Sequence, residues 1–172
     1  SRPCGKMTRM RPTGPSDGEV AEEQEDSVVI AGACHCGNIS FELTWEPEPS
    51  EIPARACSCS FCAKHRGVWT SNPIGVLRVT IADPRLVSRY VFGTCTAQFH
   101  VCARCGVVPL VTSSLDEHIY AVVNVNTFNN VEPSLLSPSP VSFEGESVES
   151  RLARRRRNWI SNVQFVEPTM AN

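Results

Sequence analysis

Apolar and polar positions alternate with a period of two over most of the chain. Ile39, Phe41 and Leu43 alternate with Ser40, Glu42 and Thr44, the pattern of a strand with one buried face. Trp45-Glu46-Pro47-Glu48-Pro49 ends it, because proline cannot continue a central strand. Upstream, Ser27-Val28-Val29-Ile30 reads as a short strand. Downstream, residues 68–71 read as another, closed by Asn72-Pro73, and Leu77, Val79 and Ile81 alternate up to the turn Asp83-Pro84. Residues 86–92 and 97–101 predict a hairpin around Gly93-Thr94. Residues 107–112 and 119–125 predict a second, turning within 113–118. Residues 61–65 are enough for one helical turn, which Gly67 would stop. The last predicted element has a helical period instead: Ser147 serves as N-cap, and Val148, Leu152 and Trp159 fall at helical spacing along 149–158. Residues 129–140, with Pro133, Pro138 and Pro140, read as loop, and there is no internal repeat. These elements predict a mainly β domain with a short C-terminal helix.

The first 27 residues stand apart from this pattern. Arg2, Lys6, Arg9 and Arg11 precede an acidic run of Asp17, Glu19, Glu22, Glu23, Glu25 and Asp26, with almost nothing apolar between them. Such a segment has little surface whose burial would offset its ordering entropy. The expectation is a solvated tail over 1–27, with Cys4 a free thiol, one domain over 28–166 and a short tail over 167–172.

Composition narrows the classes without selecting one. The 172 residues suit a single domain, and 41% hydrophobic with 20% charged content is ordinary for a globular chain. A net charge of −2 creates no global attraction to nucleic acid or anionic membrane. No apolar run approaches the roughly 18 residues of a membrane span, and the first residues lack the apolar core of a secretory signal. A cytoplasmic location is the resulting expectation.

Cysteine usage changes the picture most. There are nine, an odd number, and seven fall in three short clusters: Cys34-x-Cys36, Cys57-x-Cys59-x-x-Cys62 and Cys102-x-x-Cys105. Short-spaced clusters in a chain of this length point to metal rather than to a disulfide scaffold. A structural zinc takes four such ligands, and a working zinc keeps three with an open position. Seven thiols divide into four and three. The central triplet can chelate an ion from one segment. The two outer pairs together would close a loop of about 66 residues, where a crosslink helps most in principle. Whether the triplet is open or is closed by His65 or His35 is left undecided by spacing. An open three-cysteine zinc carries net negative charge and suits an incoming thiol better than the generation of hydroxide.

Other residues carry weaker signals. Trp69 would serve in the core or as a pocket wall. Lys64, Arg66 and Arg104 flank ligands and would either be solvated or meet substrate carboxylates. Cys95 is expected as a small buried hydrophobe. Arg151, Arg154, Arg155, Arg156 and Arg157 would bind an acidic partner or nucleic acid, pack on Trp159, or pair with the acidic tail; on a helix they point all round, which disfavours nucleic acid.

The sets Gly32-Ala33-Cys34-His35-Cys36-Gly37, Cys57-Ser58-Cys59-Ser60-Phe61-Cys62-Ala63-Lys64-His65 and Phe99-His100-Val101-Cys102-Ala103-Arg104-Cys105-Gly106 resemble the motifs of the glutathione-dependent formaldehyde-activating enzyme family, over about residues 28 to 130. The resemblance implies a zinc-containing β-tent-like fold of small antiparallel sheets. It also implies two zinc ions, a structural one on Cys34, Cys36, Cys102 and Cys105 and a catalytic one on Cys57, Cys59 and Cys62. The implied reaction is carbon–sulfur lyase or synthase chemistry that condenses glutathione, or a related thiol, with formaldehyde or another small aldehyde. A non-catalytic zinc module for protein or nucleic acid is the alternative, and it predicts a closed second site. Methionine sulfoxide reduction would want two C-x-x-C pairs, from which Cys34-x-Cys36 departs.

Overall fold

The computed structural model describes residues 26–166, so the tail expectations for 1–25 and 167–172, Cys4 included, lie outside the described residues. In chain order the elements are β1 (Val28–Ala33), β2 (Ile39–Trp45), β3 (Ile52–Cys57), α1 (Ser60–His65), β4 (Val68–Thr70), β5 (Val76–Ile81), β6 (Val87–Tyr90), β7 (Gln98–Cys102), β8 (Leu110–Leu115), β9 (His118–Asn124), β10 (Leu136–Val141), α2 (Val148–Asn158) and β11 (Asn162–Val166). The strands make two sheets, of order β1-β2-β5-β11 and β10-β3-β4-β9-β8-β7-β6. The fold is mainly β with a short C-terminal helix, as the alternation predicts. Among the described residues no helix is long and apolar enough to cross a membrane.

The core lies where the inward face of the small sheet meets one face of the large one. Ile39, Phe41, Leu43, Leu77 and Val79 come from β2 and β5, and meet Leu110, Ala121 and Val123 from β8 and β9. The intervening residues of those last strands, Val111 and Val122, point the other way. There they pack with Cys62, Trp69 and Trp159 in a second cluster. Period-two geometry thus buries both faces of β8 and β9. The second face is the one that carries the site.

Gly32 in β1 is paired with Phe41 in β2, and a methyl group on Gly32 would lie 2.2 Å from the Phe41 ring. Gly32→Ala should therefore displace that ring and cost about 1–3 kcal/mol, the range for overpacking, seen as a lower urea midpoint. The β8–β9 hairpin turns on Asp116 and Glu117, both at positive φ, 50° and 63°. That conformation is strained for a residue with a side chain. Glu117→Gly is expected to raise stability by about 0.5–1 kcal/mol.

Several features differ from the sequence expectation. Residues 52–57, not expected as a strand, form β3, and residues 113–115, expected in a turn, extend β8. Residues 136–141 form β10, which pairs parallel with β3 despite Pro138 and Pro140. It is tolerated because β10 lies at the sheet edge, where a missing N–H breaks no inner ladder. β11 follows the helix and pairs parallel with β5; its five residues carry too little pattern to stand out. Cys95 is exposed at φ 54° in the loop between β6 and β7, not buried.

Candidate metal centres and the adjoining cavity

The outer cysteines sit on two similar turns. Cys34 follows β1 directly, and its carbonyl accepts from Gly37 N–H at 3.0 Å; Cys102 ends β7, and its carbonyl accepts from Gly106 N–H at 2.8 Å. Gly37 and Gly106 have φ of 80° and 77°, a region that glycine enters without strain. Each turn then returns its second cysteine toward the first. All four sulfurs lie within 4.8 Å of one another. Cys34 Sγ is 3.7 Å from Cys36 Sγ, which is 3.5 Å from Cys102 Sγ. A tetrahedron with metal–sulfur bonds of about 2.3 Å has edges of about 3.8 Å, whereas a disulfide needs about 2.05 Å. The spacing fits a metal.

The electrostatics of this cluster also fit. Burial pushes the Cys34 thiol up to about 12, against the Ile39 N–H that favours its thiolate. Burial also acts to raise Cys105, but N–H groups of Val107 and Cys36 and hydrogen bonds from Cys102 and Cys34 outweigh it and bring it down to about 6. The four sulfurs share protons that a divalent cation would replace.

The central triplet is built on the β3–α1 junction. Cys57 ends β3, Cys59 is the N-cap of α1, and Cys62 lies one turn on, so the helix itself sets their spacing. Cys59 Sγ accepts from Cys62 N–H at 3.4 Å. Trp69 Nε1–H donates to Cys62 Sγ at 3.3 Å. Trp69 thus belongs to the core and donates a hydrogen bond to a ligand sulfur, and a Trp69→Phe variant should lower metal affinity of this cluster several-fold, measured by competition with a chelator. The three sulfurs lie within 4.8 Å of one another. A hydrogen bond from the Cys62 thiol, helped by N–H of Cys59, pulls Cys57 down to about 5. The same contact, with burial, pushes Cys62 far up.

Neither His65 nor His35 joins this triplet. His35 is exposed. The His65 ring instead stacks against Phe61 at 4.5 Å and faces Trp69 at 6.0 Å, where burial lowers its pKa. Gly67 is required there, since a methyl group on it would stand 2.8–2.9 Å from Trp69 and His65. Arg66, not Gly67, takes the left-handed C-cap position.

A cavity of about 450 Å³ opens beside the triplet, with Cys57, Cys59 and Cys62 in its wall. Trp69, Phe92, Phe99, Val111, Val122 and Trp159 make its apolar side, and Arg55, Arg151, Arg154 and Arg155 its polar side. Phe92 comes from the β6–β7 loop, and Ser142, Phe143 and Glu144 from the segment that β10 delivers. The basic residues expected near the substrate from their neighbourhood to ligands, Lys64, Arg66 and Arg104, are exposed and lie outside this wall. Sequence reasoning missed Arg55, because nothing local distinguishes it.

The arginine run divides among separate partners. Arg154 makes two 2.9 Å hydrogen bonds to Glu146 and covers the Phe143 ring at 3.7 Å. Arg156 pairs with Asp116 at 2.7 Å. Arg155 is buried over Trp159 at 4.9 Å. The run therefore presents no single basic stripe.

A two-sheet β fold with one four-sulfur and one three-sulfur metal-type cluster, the latter on a cavity, defines a class of cysteine-rich metal-binding domain. Within that class, a family model described as "Glutathione-dependent formaldehyde-activating enzyme" matches residues 29–145, and the chain belongs to this family. The chain is also similar to a solved Rhodobacter sphaeroides protein, at 28% identity over 60% of this chain and 92% of that chain, with a TM-score of 0.45.

Proposed function

We propose that residues 28–166 act as one zinc-binding catalytic unit that condenses glutathione with formaldehyde, or a closely related thiol with a small aldehyde, and catalyses the reverse cleavage. The observation that carries the reading is the triplet itself. Three sulfurs from one junction face a cavity, and no fourth His, Cys, Asp or Glu ligand atom joins them within 4.8 Å among the described residues. Cys34, Cys36, Cys102 and Cys105 would hold a structural zinc, and Cys57, Cys59 and Cys62 a catalytic one. A zinc held by three thiolates supplies a soft Lewis acid with a position that favours a fourth sulfur.

The remaining work falls to the chain. Trp69 fixes Cys62 through its indole N–H, and the Cys62 N–H fixes Cys59, so the donor set is oriented before substrate arrives. Phe99, Val111, Val122 and Trp159 exclude water from the thiol, which favours carbon–sulfur addition over competing hydration. In the forward direction one carbon–sulfur bond forms, the carbonyl π bond opens, and the thiol proton ends on the former carbonyl oxygen as S-hydroxymethylglutathione. No oxidant or reductant is required.

The test is turnover by the full chain loaded with zinc. Glutathione and ¹³C-formaldehyde should give S-hydroxymethylglutathione faster than the uncatalysed mixture, followed by NMR. Thiol binding without formaldehyde turnover would retain the thiol–aldehyde class and change the aldehyde. Neither binding nor turnover would favour a non-catalytic zinc module.

A further inference from the structure

We propose that Arg155 and Arg55 form an anion subsite in the cavity that seats a carboxylate of the thiol substrate. The proposal rests on the thiol reading of the triplet and specifies the substrate as an acid whose carboxylate lies away from its sulfur.

The guanidinium of Arg155 is the observation that starts it. The residue is 6% exposed, and its side chain lines the cavity. Its Nη1 donates to Thr96 O at 3.0 Å, Thr96 Oγ1 at 2.8 Å and Ser113 Oγ at 3.2 Å, all neutral acceptors. Its Nε is buried with no partner, and no carboxylate of the described residues pairs with it. Arg55, half-buried, also lacks a carboxylate partner: its Nη2 donates to Ser71 Oγ at 2.8 Å, and no ion pair among the described residues reaches it.

Neighbouring charges do not remove the excess. Glu146 is shared by Arg154 at 2.9 Å and Arg151 at 3.6 Å. Glu144, the acid that lines the wall, is exposed and makes no ion pair among the described residues. The wall thus carries four guanidinium groups and one carboxylate, and Glu146 beside it is engaged by Arg151 and Arg154. Burial, and then the charges of Arg151 and Arg154, pull Arg155 down to about 10, with the charge of Glu146 only partly opposing them. A buried charge in that state is costly unless a partner supplies the opposite sign. A planar fork with an unpartnered N–H, its Cζ 4.9 Å from the centre of the Trp159 ring, is suited to a carboxylate. The triplet engages a different arginine: Arg154 is the one whose charge reaches Cys57. Helix α2, which supplies Arg155, follows the last residue matched by the family model, whereas β3, which supplies Arg55, lies within the matched span.

The test compares ligands that differ only in charge, on the full zinc-loaded chain. Trp69 and Trp159 line the cavity, so their fluorescence reports binding directly. Glutathione should bind at least tenfold more tightly than its diethyl ester. Arg55→Gln and Arg155→Lys should each weaken glutathione by tenfold or more and change ester binding by less than twofold. S-methylglutathione, which keeps both carboxylates and lacks the thiol, should bind weakly and in an arginine-dependent way. Because Arg155 also ties α2 to Thr96 and Ser113, and Arg55 donates to Ser71, each variant is read only where the melting curve is retained; the ester comparison on the unaltered chain needs no such condition. Equal affinity for acid and ester, or equal weakening of both by the Arg55 change, overturns the subsite while leaving the thiol reading intact. Arginine-dependent binding of S-methylglutathione equal to that of glutathione retains the subsite and overturns the thiol reading. Binding of none of the three overturns both.

Discussion

Cys34→Ser or Cys105→Ser is expected to abolish cooperative thermal unfolding of this protein, or to lower its midpoint by tens of degrees, while Cys59→Ser leaves the midpoint within a few degrees. The four outer sulfurs join the turn after β1 to the turn after β7, positions far apart in sequence and on different sheets. Structural zinc contributes about 10–16 kcal/mol in small zinc domains, as much as the about 5–15 kcal/mol by which a whole domain is stable. Three remaining ligands would hold that ion poorly. A buried Cys34 or Cys102 is then left among unsatisfied polar atoms. Cys59, by contrast, caps a six-residue helix at the side of the cavity, and serine is itself a good N-cap. Melting curves by circular dichroism, with metal content measured beside them, provide the check. Two metal ions should fall to one in Cys59→Ser. The opposite ranking of melting temperatures would exchange the structural and catalytic assignments.

Replacing the metal with cobalt should make substrate capture visible. With Cys57, Cys59 and Cys62 as ligands, glutathione offers a fourth sulfur, and the cobalt–sulfur charge-transfer absorption should intensify and shift on its addition. S-methylglutathione, a thioether, should leave that band nearly unchanged. Cys57→Ser should abolish both the spectral response and any acceleration of S-hydroxymethylglutathione formation, a loss of at least a hundredfold, because the remaining two ligands do not hold the ion in a thiol-accepting geometry. Spectra unmoved by glutathione in the intact protein would mean that another ligand already fills the fourth position.

The strands with strong alternation, β2 and β5, were legible in the sequence because each buries one face against a core. The β8–β9 hairpin was legible as two apolar runs around a polar turn, because both faces of those strands are buried, and the cap residue of α2 marked its start. The edge strand β10 was hidden by its prolines. β11 was hidden because its pairing with β5 is supplied wholly by a strand more than 80 residues earlier. The cavity had no local signature either. Its wall gathers Arg55 from β3, Phe92 from a loop, Phe99 from β7 and Arg155 from α2.

What the sequence determined by itself was the donor chemistry. Thiol identity, close spacing and flanking glycines are local properties, and they divide seven cysteines into four and three before any strand is placed. Tertiary structure alone decided the rest. His65, at workable spacing from Cys62, is drawn instead into a stack with Phe61 and Trp69, because burying its ring among aromatics is a packing outcome and not a spacing one. Likewise, five arginines with the same side chain receive different environments. One is buried without an ion pair, two share Glu146 and one pairs with Asp116, since a helix turns 100° per residue and each position meets a different neighbour.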